Sequence, residues 1–246
     1  MDGILLLEKQ KETNHYQIQS LPINSGVFCL KKDRFQDVVW IGTDGQGVYL
    51  YSNPLYSIKS MVLSNYTEKI ERPVRAIYLD DERTFWVGTK GNGILKIYDY
   101  EFDKNISDCR AEVLTTSNSA LSSNAVYCFA KSHRNLLWIG DEEGLTYYSY
   151  REKRIKSIPI RIGNEDFKYI HDIYETADSE LWLASVGMGV VKARIAGTPD
   201  NPVIVDAQRY IINDGELGSN YFFTIYAENE ANLLFGNKGY GVFRYN

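Results

Sequence analysis

Apolar residues recur along this 246-residue chain in short runs, and those runs fall in a register that repeats. One run holds every tryptophan: Val39-Trp40-Ile41-Gly42-Thr43, Phe85-Trp86-Val87-Gly88-Thr89, Leu137-Trp138-Ile139-Gly140-Asp141 and Leu181-Trp182-Leu183-Ala184-Ser185, with a fifth copy at Leu233-Leu234-Phe235-Gly236-Asn237. The steps from tryptophan to tryptophan and on to Leu234 are 46, 52, 44 and 52 residues. A second run begins 12 or 13 residues upstream of each: Val27-Phe28-Cys29-Leu30, Val74-Arg75-Ala76-Ile77, Val126-Tyr127-Cys128-Phe129, Ile170-His171-Asp172-Ile173 and Phe222-Phe223-Thr224-Ile225. Downstream lie glycine turns at Gly45-Gln46-Gly47, Gly91-Asn92-Gly93, Gly187-Met188-Gly189 and Gly239-Tyr240-Gly241, with Gly144 alone in the third copy. Glycine suits a tight hairpin because the turn demands a positive φ that a Cβ opposes. Each turn leads into a third strand such as Val48-Tyr49-Leu50-Tyr51 or Ile94-Leu95-Lys96-Ile97. A fourth is marked by Ser57–Met61, which resembles Arg154–Ile158 and Gln17–Leu21.

Four short antiparallel strands per copy, rich in β-branched and aromatic residues and without a helical period, predict the blades of an all-β protein, a β-propeller. A single blade cannot bury both faces, so the repeated tryptophans are expected to pack between neighbouring blades. The expected domain covers residues 1–246, with a partial blade at 3–20 and blades starting near 27, 74, 126, 170 and 222. The ends are asymmetric. Residues 3–20 supply only a third and a fourth strand and residues 222–246 only a first, second and third, twenty-one strands in all. The last blade could borrow Tyr16–Ser20 and close five blades, but Ile4–Leu7 would then be surplus. The surplus favours a segment of a larger propeller.

Composition narrows the partners. The formal net charge of −5 comes with no basic block, so no nucleic-acid footprint is visible. No apolar run approaches the roughly 18 to 20 residues of a membrane helix, so no membrane contact by this segment is expected. Cys29, Cys109 and Cys128 are odd in number and lack zinc-ligand spacing. Nineteen tyrosines favour strands and amphipathic surfaces.

A hydrophobic triplet, an acidic turn, the Trp40-Ile41-Gly42-Thr43-Asp44-Gly45 type core, a Gly-x-Gly turn and a tyrosine-rich strand together resemble the two-component regulator propeller repeat. Leu121-Ser122-Ser123-Asn124-Ala125-Val126 and Gly215-Glu216-Leu217-Gly218-Ser219-Asn220 are similar to that family's segment ahead of the first strand. The resemblance spans nearly the whole chain. It implies the sensor domain of a bacterial hybrid two-component system: seven-bladed propellers, often in tandem, followed by a sandwich domain, a membrane helix and a histidine kinase. It also implies a periplasmic location and an oligosaccharide ligand. Departures occur at Leu234, at Ala184-Ser185 and in the shortened glycine turn of the third copy.

Catalytic constellations are missing from the residue pattern. The Gly-x-Gly turns lack the third glycine and following helix of a dinucleotide site. His15, His133 and His171 fall apart in sequence, and the acidic groups Asp80-Asp81-Glu82 and Glu142-Glu143 read as solvated turns. Thr176–Trp182 only faintly resembles a sialidase Asp-box and reads as a turn. No Gly-x-Ser-x-Gly elbow occurs, and Cys29 with Cys128 recur at one repeat position, which predicts packing. The sequons at Asn65 and Asn105 matter only in a eukaryotic secretory route. No catalytic residue, metal or cofactor is therefore expected. By analogy with other propellers, ligand contacts are expected on the loop face, at Asp44, Gln46, Arg72, Lys90, Asn92, Glu142, Tyr221 and Tyr240, with Lys69, Glu71, Glu143 and Lys238 beside them. Aromatic faces with amide, guanidinium and carboxylate groups suit a sugar. The leading expectation is thus a non-catalytic sensor propeller for an oligosaccharide or other small extracytoplasmic ligand. The alternatives are a scaffold that docks a protein, an adjacent propeller or itself, and a polysaccharide lyase or hydrolase.

Overall fold

The structure, a computed structural model, describes residues 4–9, 16–36, 38–52, 57–61, 70, 72–100, 109–213 and 218–245. His15, Lys69, Glu71, the two sequons and residues 215–217 lie outside them. Among the described residues every regular element is a strand. They divide between two compact units, one within 1–87 and 97–111 and the other within 88–96 and 112–246.

In the first unit β1 (Ile4–Lys9) and β2 (Tyr16–Leu21) form an antiparallel pair, Ile4 opposite Leu21. Among the described residues these two strands form a sheet of their own. The first four-stranded blade follows in chain order, β3 (Val27–Lys32), β4 (Val38–Thr43), β5 (Val48–Ser52) and β6 (Ser57–Met61). The second is β7 (Val74–Leu79), β8 (Phe85–Thr89), β9 (Ile94–Ile97) and β10 (Ala111–Leu114), and its residues are shared between the units.

The second unit carries a blade of β11 (Val126–Lys131), β12 (Leu136–Asp141), β13 (Leu145–Ser149) and β14 (Arg154–Ile158). A small hairpin absent from the expected pattern then intervenes, β15 (Arg161–Ile162) with β16 (Glu165–Asp166). Its turn is Gly163-Asn164, with Gly163 at φ 62°, a conformation natural to glycine. The next blade is β17 (Ile170–Glu175), β18 (Glu180–Ser185), β19 (Gly189–Thr198) and β20 (Asn201–Tyr210). The last sheet has three strands, β21 (Phe222–Asn229), β22 (Asn232–Asn237) and β23 (Gly241–Tyr245). The first strands start at 27, 74, 126, 170 and 222, where the repeat places them. The fold is a β-propeller with five visible blades.

Packing follows from the repeat. Strands β8 and β12 are buried at every position, the near-continuous apolar pattern of strands covered on both faces. Trp40, Trp86, Trp138 and Trp182 are all 2% exposed or less. In the first unit Trp40 meets Phe85 of the following copy at 4.4 Å and Tyr100 at 5.0 Å between ring centroids. In the first and third copies the glycine two residues after the tryptophan is required by close approach. A Cβ on Gly42 would lie 2.5 Å from Cys29 Sγ, and one on Gly140 would lie 2.5 Å from Cys128 Sγ and 2.7 Å from the Ile170 carbonyl oxygen. Gly42 and Gly140 pair across the ladder with those cysteines, whereas Ala184 pairs with Asp172. The alanine of the fourth copy therefore accompanies the loss of the thiol opposite it. Burial pushes the Cys29 thiol up to about 11 and Cys128 well above its ordinary range, so both stay protonated packing groups.

One expectation needs correction. Asp80 is not a solvated turn residue: it is 1% exposed, while Asp81 and Glu82 beside it are exposed. Its carboxylate accepts the Trp86 indole N–H at 2.9 Å and the backbone N–H groups of Glu82 and Thr84 at 3.0 and 2.7 Å. Asp33 does the same for Trp40 at 2.9 Å and for the amides of Phe35 and Gln36. In the third copy Ser132 stands at this position, and Trp138 donates instead to Glu175 of the next blade at 2.6 Å. A buried indole N–H needs an acceptor, and three copies supply a carboxylate.

Candidate functional site

The loop end of the second unit is built on a continuous main-chain belt. Lys90 and Ala125 form a β-bridge, the Glu142 N–H donates to Ala125 at 3.0 Å, and the Tyr169 N–H donates to Glu142 at 3.0 Å. Val186 then donates to Tyr169 at 3.1 Å and bridges to Tyr221, whose carbonyl accepts the Lys238 N–H at 3.0 Å. Two asparagines anchor this belt. The Asn124 carbonyl accepts the amides of Gly91 and Gly93, each at 2.9 Å, and the Asn220 carbonyl accepts those of Gly187 and Gly189 at 2.8 and 3.1 Å. Their side chains also hold the preceding segment, through Thr116 N–H to Asn124 and Ile212 N–H to Asn220. This is the physical role of the Ser-Asn step before the first strand: one residue ties the glycine turn of one blade to the entry of the next.

Two residues beyond the belt positions Ala125, Tyr169 and Tyr221 stand Tyr127, His171 and Phe223. Each is the extra residue of a β-bulge, since the register slips between Val126 and Cys128, Ile170 and Asp172, and Phe222 and Thr224. A bulge re-aims its side chain out of the alternation of the strand. Here the three re-aimed rings form a row: Tyr127 stacks on His171 at 4.3 Å and 16°, and Phe223 meets His171 edge-on at 5.2 Å. Tyr127 and His171 are half-buried and Phe223 is 43% exposed. In the first unit the equivalent bulge residue Phe28 lies under the Arg75 guanidinium at 3.6 Å. Tyr169 adds backbone strain, holding φ 56° without being glycine.

The residues expected to bind ligand are distributed as follows. Lys90, Glu142 and Tyr221 are belt members. Glu142 also accepts from the Ser123 hydroxyl at 3.4 Å, and the Lys238 ammonium stands 5.5 Å from the Tyr221 ring centre. Asn92 sits in the second-copy turn, its amide donating to Thr89 at 2.9 Å, and Tyr240 is 53% exposed in the last turn. Asp44, Gln46 and Arg72 belong to the first unit. Gln46 accepts from the Tyr49 hydroxyl at 2.8 Å, the Asp44 carbonyl accepts from Ser25 at 2.9 Å, and Arg72 is exposed ahead of β7.

Charge at this end is concentrated around Asp141, which replaces the threonine of the first two copies. It is fully buried, and burial raises its carboxyl from 3.8 to about 6. The Ser122 hydroxyl at 2.7 Å and the amides of Glu143 and Gly144 at 2.9 and 3.0 Å oppose that rise. Next to it Lys168 pairs with Glu143 at 2.5 Å. The aromatic row escapes sequence reasoning because a bulge is a register property. The signal was nonetheless present, as the second residue of four first strands is Phe, Tyr, His or Phe.

No protein-family model matches this chain. Among solved structures it is similar to the extracellular domain assigned to a hybrid two-component system of B. thetaiotaomicron, BT3049, at TM-score 0.65 and 21% identity, covering 96% of this chain and 31% of that one. It is also similar to PorZ, described as a bacterial surface component of the type-IX secretion system of Porphyromonas gingivalis, at TM-score 0.65 and 14% identity, covering 89% of this chain and 32% of that one. YCF48 from Cyanidioschyzon merolae matches at TM-score 0.60 and 9% identity over 98% of this chain and 74% of that one. At these identities the likeness shows the fold alone. A curated protein, translation initiation factor 6 of Saccharolobus solfataricus, is 31% identical over 140 residues, 52% of this chain and 57% of that protein. The chain thus spans a little over half of that relative and about a third of the first two solved structures.

Proposed function

We propose that the chain is a non-catalytic, extracytoplasmic ligand-binding module of a sensor protein, and that its ligand is an oligosaccharide. The observation that carries this reading is the row Tyr127, His171 and Phe223 beside the belt that bears Lys90, Glu142 and Tyr221. Sugar rings stack on aromatic edges and faces, while their hydroxyls take directional bonds from amide, carboxylate and ammonium groups. A rigid main-chain belt keeps such groups in place before the ligand arrives, which lowers the ordering cost of binding. The fold likeness to an extracellular domain of a two-component system supports the sensor setting and the periplasmic placement.

The test is a glycan array probed with the chain and with Tyr127→Ala and Phe223→Ala variants. Binding to a defined oligosaccharide class that both variants lose supports the reading. Absence of any signal, or signal unchanged in both variants, overturns it.

A scaffold reading draws on the exposed apolar side chains of the first hairpin, where Leu5, Leu7, Tyr16 and Ile18 are 57 to 62% exposed. Light scattering distinguishes it, because a self-associating scaffold is a dimer or larger without sugar.

A further inference from the structure

The third blade ends on an open edge. β14 (Arg154–Ile158) is the last strand of its sheet, and among the described residues only β13 pairs with it. Residues 153–159 all line one groove of about 800 Å³ within the second unit. One wall is Leu114 with residues 118–120, on the segment that leads from the second blade to the third, and the other is residues 201–203 at the tip of the β19–β20 hairpin. An edge strand carries a row of backbone N–H and C=O groups that no neighbouring strand meets. Five residues of strand run about 17 Å, the length of a short extended peptide.

The side chains of β14 divide between the two walls. Lys156 sits across the ladder from Tyr147, and Tyr147 and Ile158 pack in one core with Ile173 and Leu183 of the fourth blade. Strand alternation puts Arg154 and Lys156 on that same face, two residues apart. Ile155, opposite Tyr148, turns the other way, toward the second blade, whose Lys96 ammonium donates to the Tyr148 hydroxyl at 2.9 Å. Glu152 holds Arg154 at 2.6 Å and Lys156 at 2.5 Å, one carboxylate shared by two cations. Lys153 beside them has no ion-pair partner among the described residues. Glu112 is the carboxylate on the groove's own wall, so Lys153, Arg154 and Lys156 outnumber Glu112 and Glu152, in a chain whose formal charge is −5.

We propose that this edge is a docking site for an extended acidic peptide, which adds a fifth strand to the third blade and sets carboxylates opposite Arg154 and Lys156. Cations on an edge strand discourage indiscriminate pairing, and a strand that is acidic at the facing positions turns that repulsion into attraction. Facing positions recur every second residue, so the pattern sought is a carboxylate, an apolar residue and a second carboxylate. The apolar residue between them falls on the side of Leu114 and Ala120. The site stands independently of the oligosaccharide reading, because none of its residues belongs to the belt or to the aromatic row.

The test uses the full chain and a fluorescein-labelled hexapeptide, Ser-Glu-Val-Glu-Val-Ser, read by fluorescence anisotropy, with a twin that carries lysine in place of both glutamates. The acidic peptide should bind saturably and the lysine twin about tenfold more weakly. Two-dimensional ¹H–¹⁵N spectra should place the shifted amides within 153–158. Methylating the amides of the valines, or those of the glutamates, blocks one edge of the peptide at a time, and one of the two forms should lose binding. Arg154→Glu combined with Lys156→Glu should reverse the preference, and a variant that gains the lysine peptide is folded. Failure of the acidic peptide to saturate, equal affinity for the two peptides, or a double variant that keeps the original preference overturns the proposal. So does binding that survives in both methylated forms, or amide shifts centred on the loop end.

Discussion

Replacing Trp138 and Trp182 by phenylalanine, one at a time, probes the tryptophan layer within a single compact unit. Both indoles are buried, at 0 and 2% exposure, and the substitution removes the same atoms from each, so the packing losses nearly cancel in the comparison. What differs is the N–H. Trp138 donates at 2.6 Å to Glu175, whose side chain is 1% exposed, and removing that donor leaves a buried carboxylate short of a partner. Hydrogen bonds to charged groups contribute about 1.5–3 kcal/mol. In Trp182→Phe no bond among the described residues is lost, and a buried N–H without an acceptor there, worth about 1–3 kcal/mol, is relieved. Glu175 keeps the His133 amide at 3.3 Å and Arg134 at 3.8 Å, which softens the first effect. The expected gap is therefore about 2–4 kcal/mol, with Trp138→Phe the more destabilising. Urea unfolding followed by far-ultraviolet circular dichroism measures it, provided the slope of the unfolding free energy is common to both variants. Equal midpoints would refute the assignment of different hydrogen-bond states to equivalent tryptophans.

Other outcomes follow from the same contacts. Asp80→Ala orphans the buried N–H groups of Trp86 and Thr84 and removes the acceptor of the part-buried Glu82 amide, and should cost about 2–5 kcal/mol, read as a lowered melting temperature, whereas Asp81→Ala at the exposed neighbour should change little. Gly42→Ala should destabilise by about 1–3 kcal/mol through the clash with Cys29 Sγ, and Cys29→Ala in the same chain should recover part of it. A double-mutant cycle by chemical denaturation without coupling between these two would contradict the close approach. Because folding raises the Asp141 carboxyl from 3.8 to about 6, protonation favours the folded chain. The stability linked to it is full below pH 4 and is lost as pH rises through 6. Asp141→Asn should accordingly match the parent near pH 3.5 and exceed it by about 3 kcal/mol at pH 7. A difference that stays flat between those pH values would overturn the burial argument.

Much of the fold was legible because the repeat marks it several times over. The five first-strand starts, the Trp-bearing second strands and the glycine turns coincide with the structure, since period and turn chemistry are local properties. Less local features were hidden. The burial of Asp80 depends on an indole six residues away turning back to it, so an acidic turn looked solvated. The partner of Trp138 arrives from the next blade, and nothing in the third copy alone points to Glu175. The two-residue strands at 161–166 are too short to show alternation, although Gly163-Asn164 is a turn signal. At the loop end the polar residues were visible one by one, but the belt that joins them is backbone, and side-chain chemistry does not encode it. The aromatic row needed the bulges, which only pairing reveals.

Isothermal titration calorimetry with the oligosaccharide that the array selects tests binding without turnover most directly. The wild-type chain should give a single saturable heat that returns to baseline, and His171→Ala combined with Tyr127→Ala should abolish it. Heat that continues after saturation, accompanied by new sugar ends in the cell, would show catalysis and contradict the account.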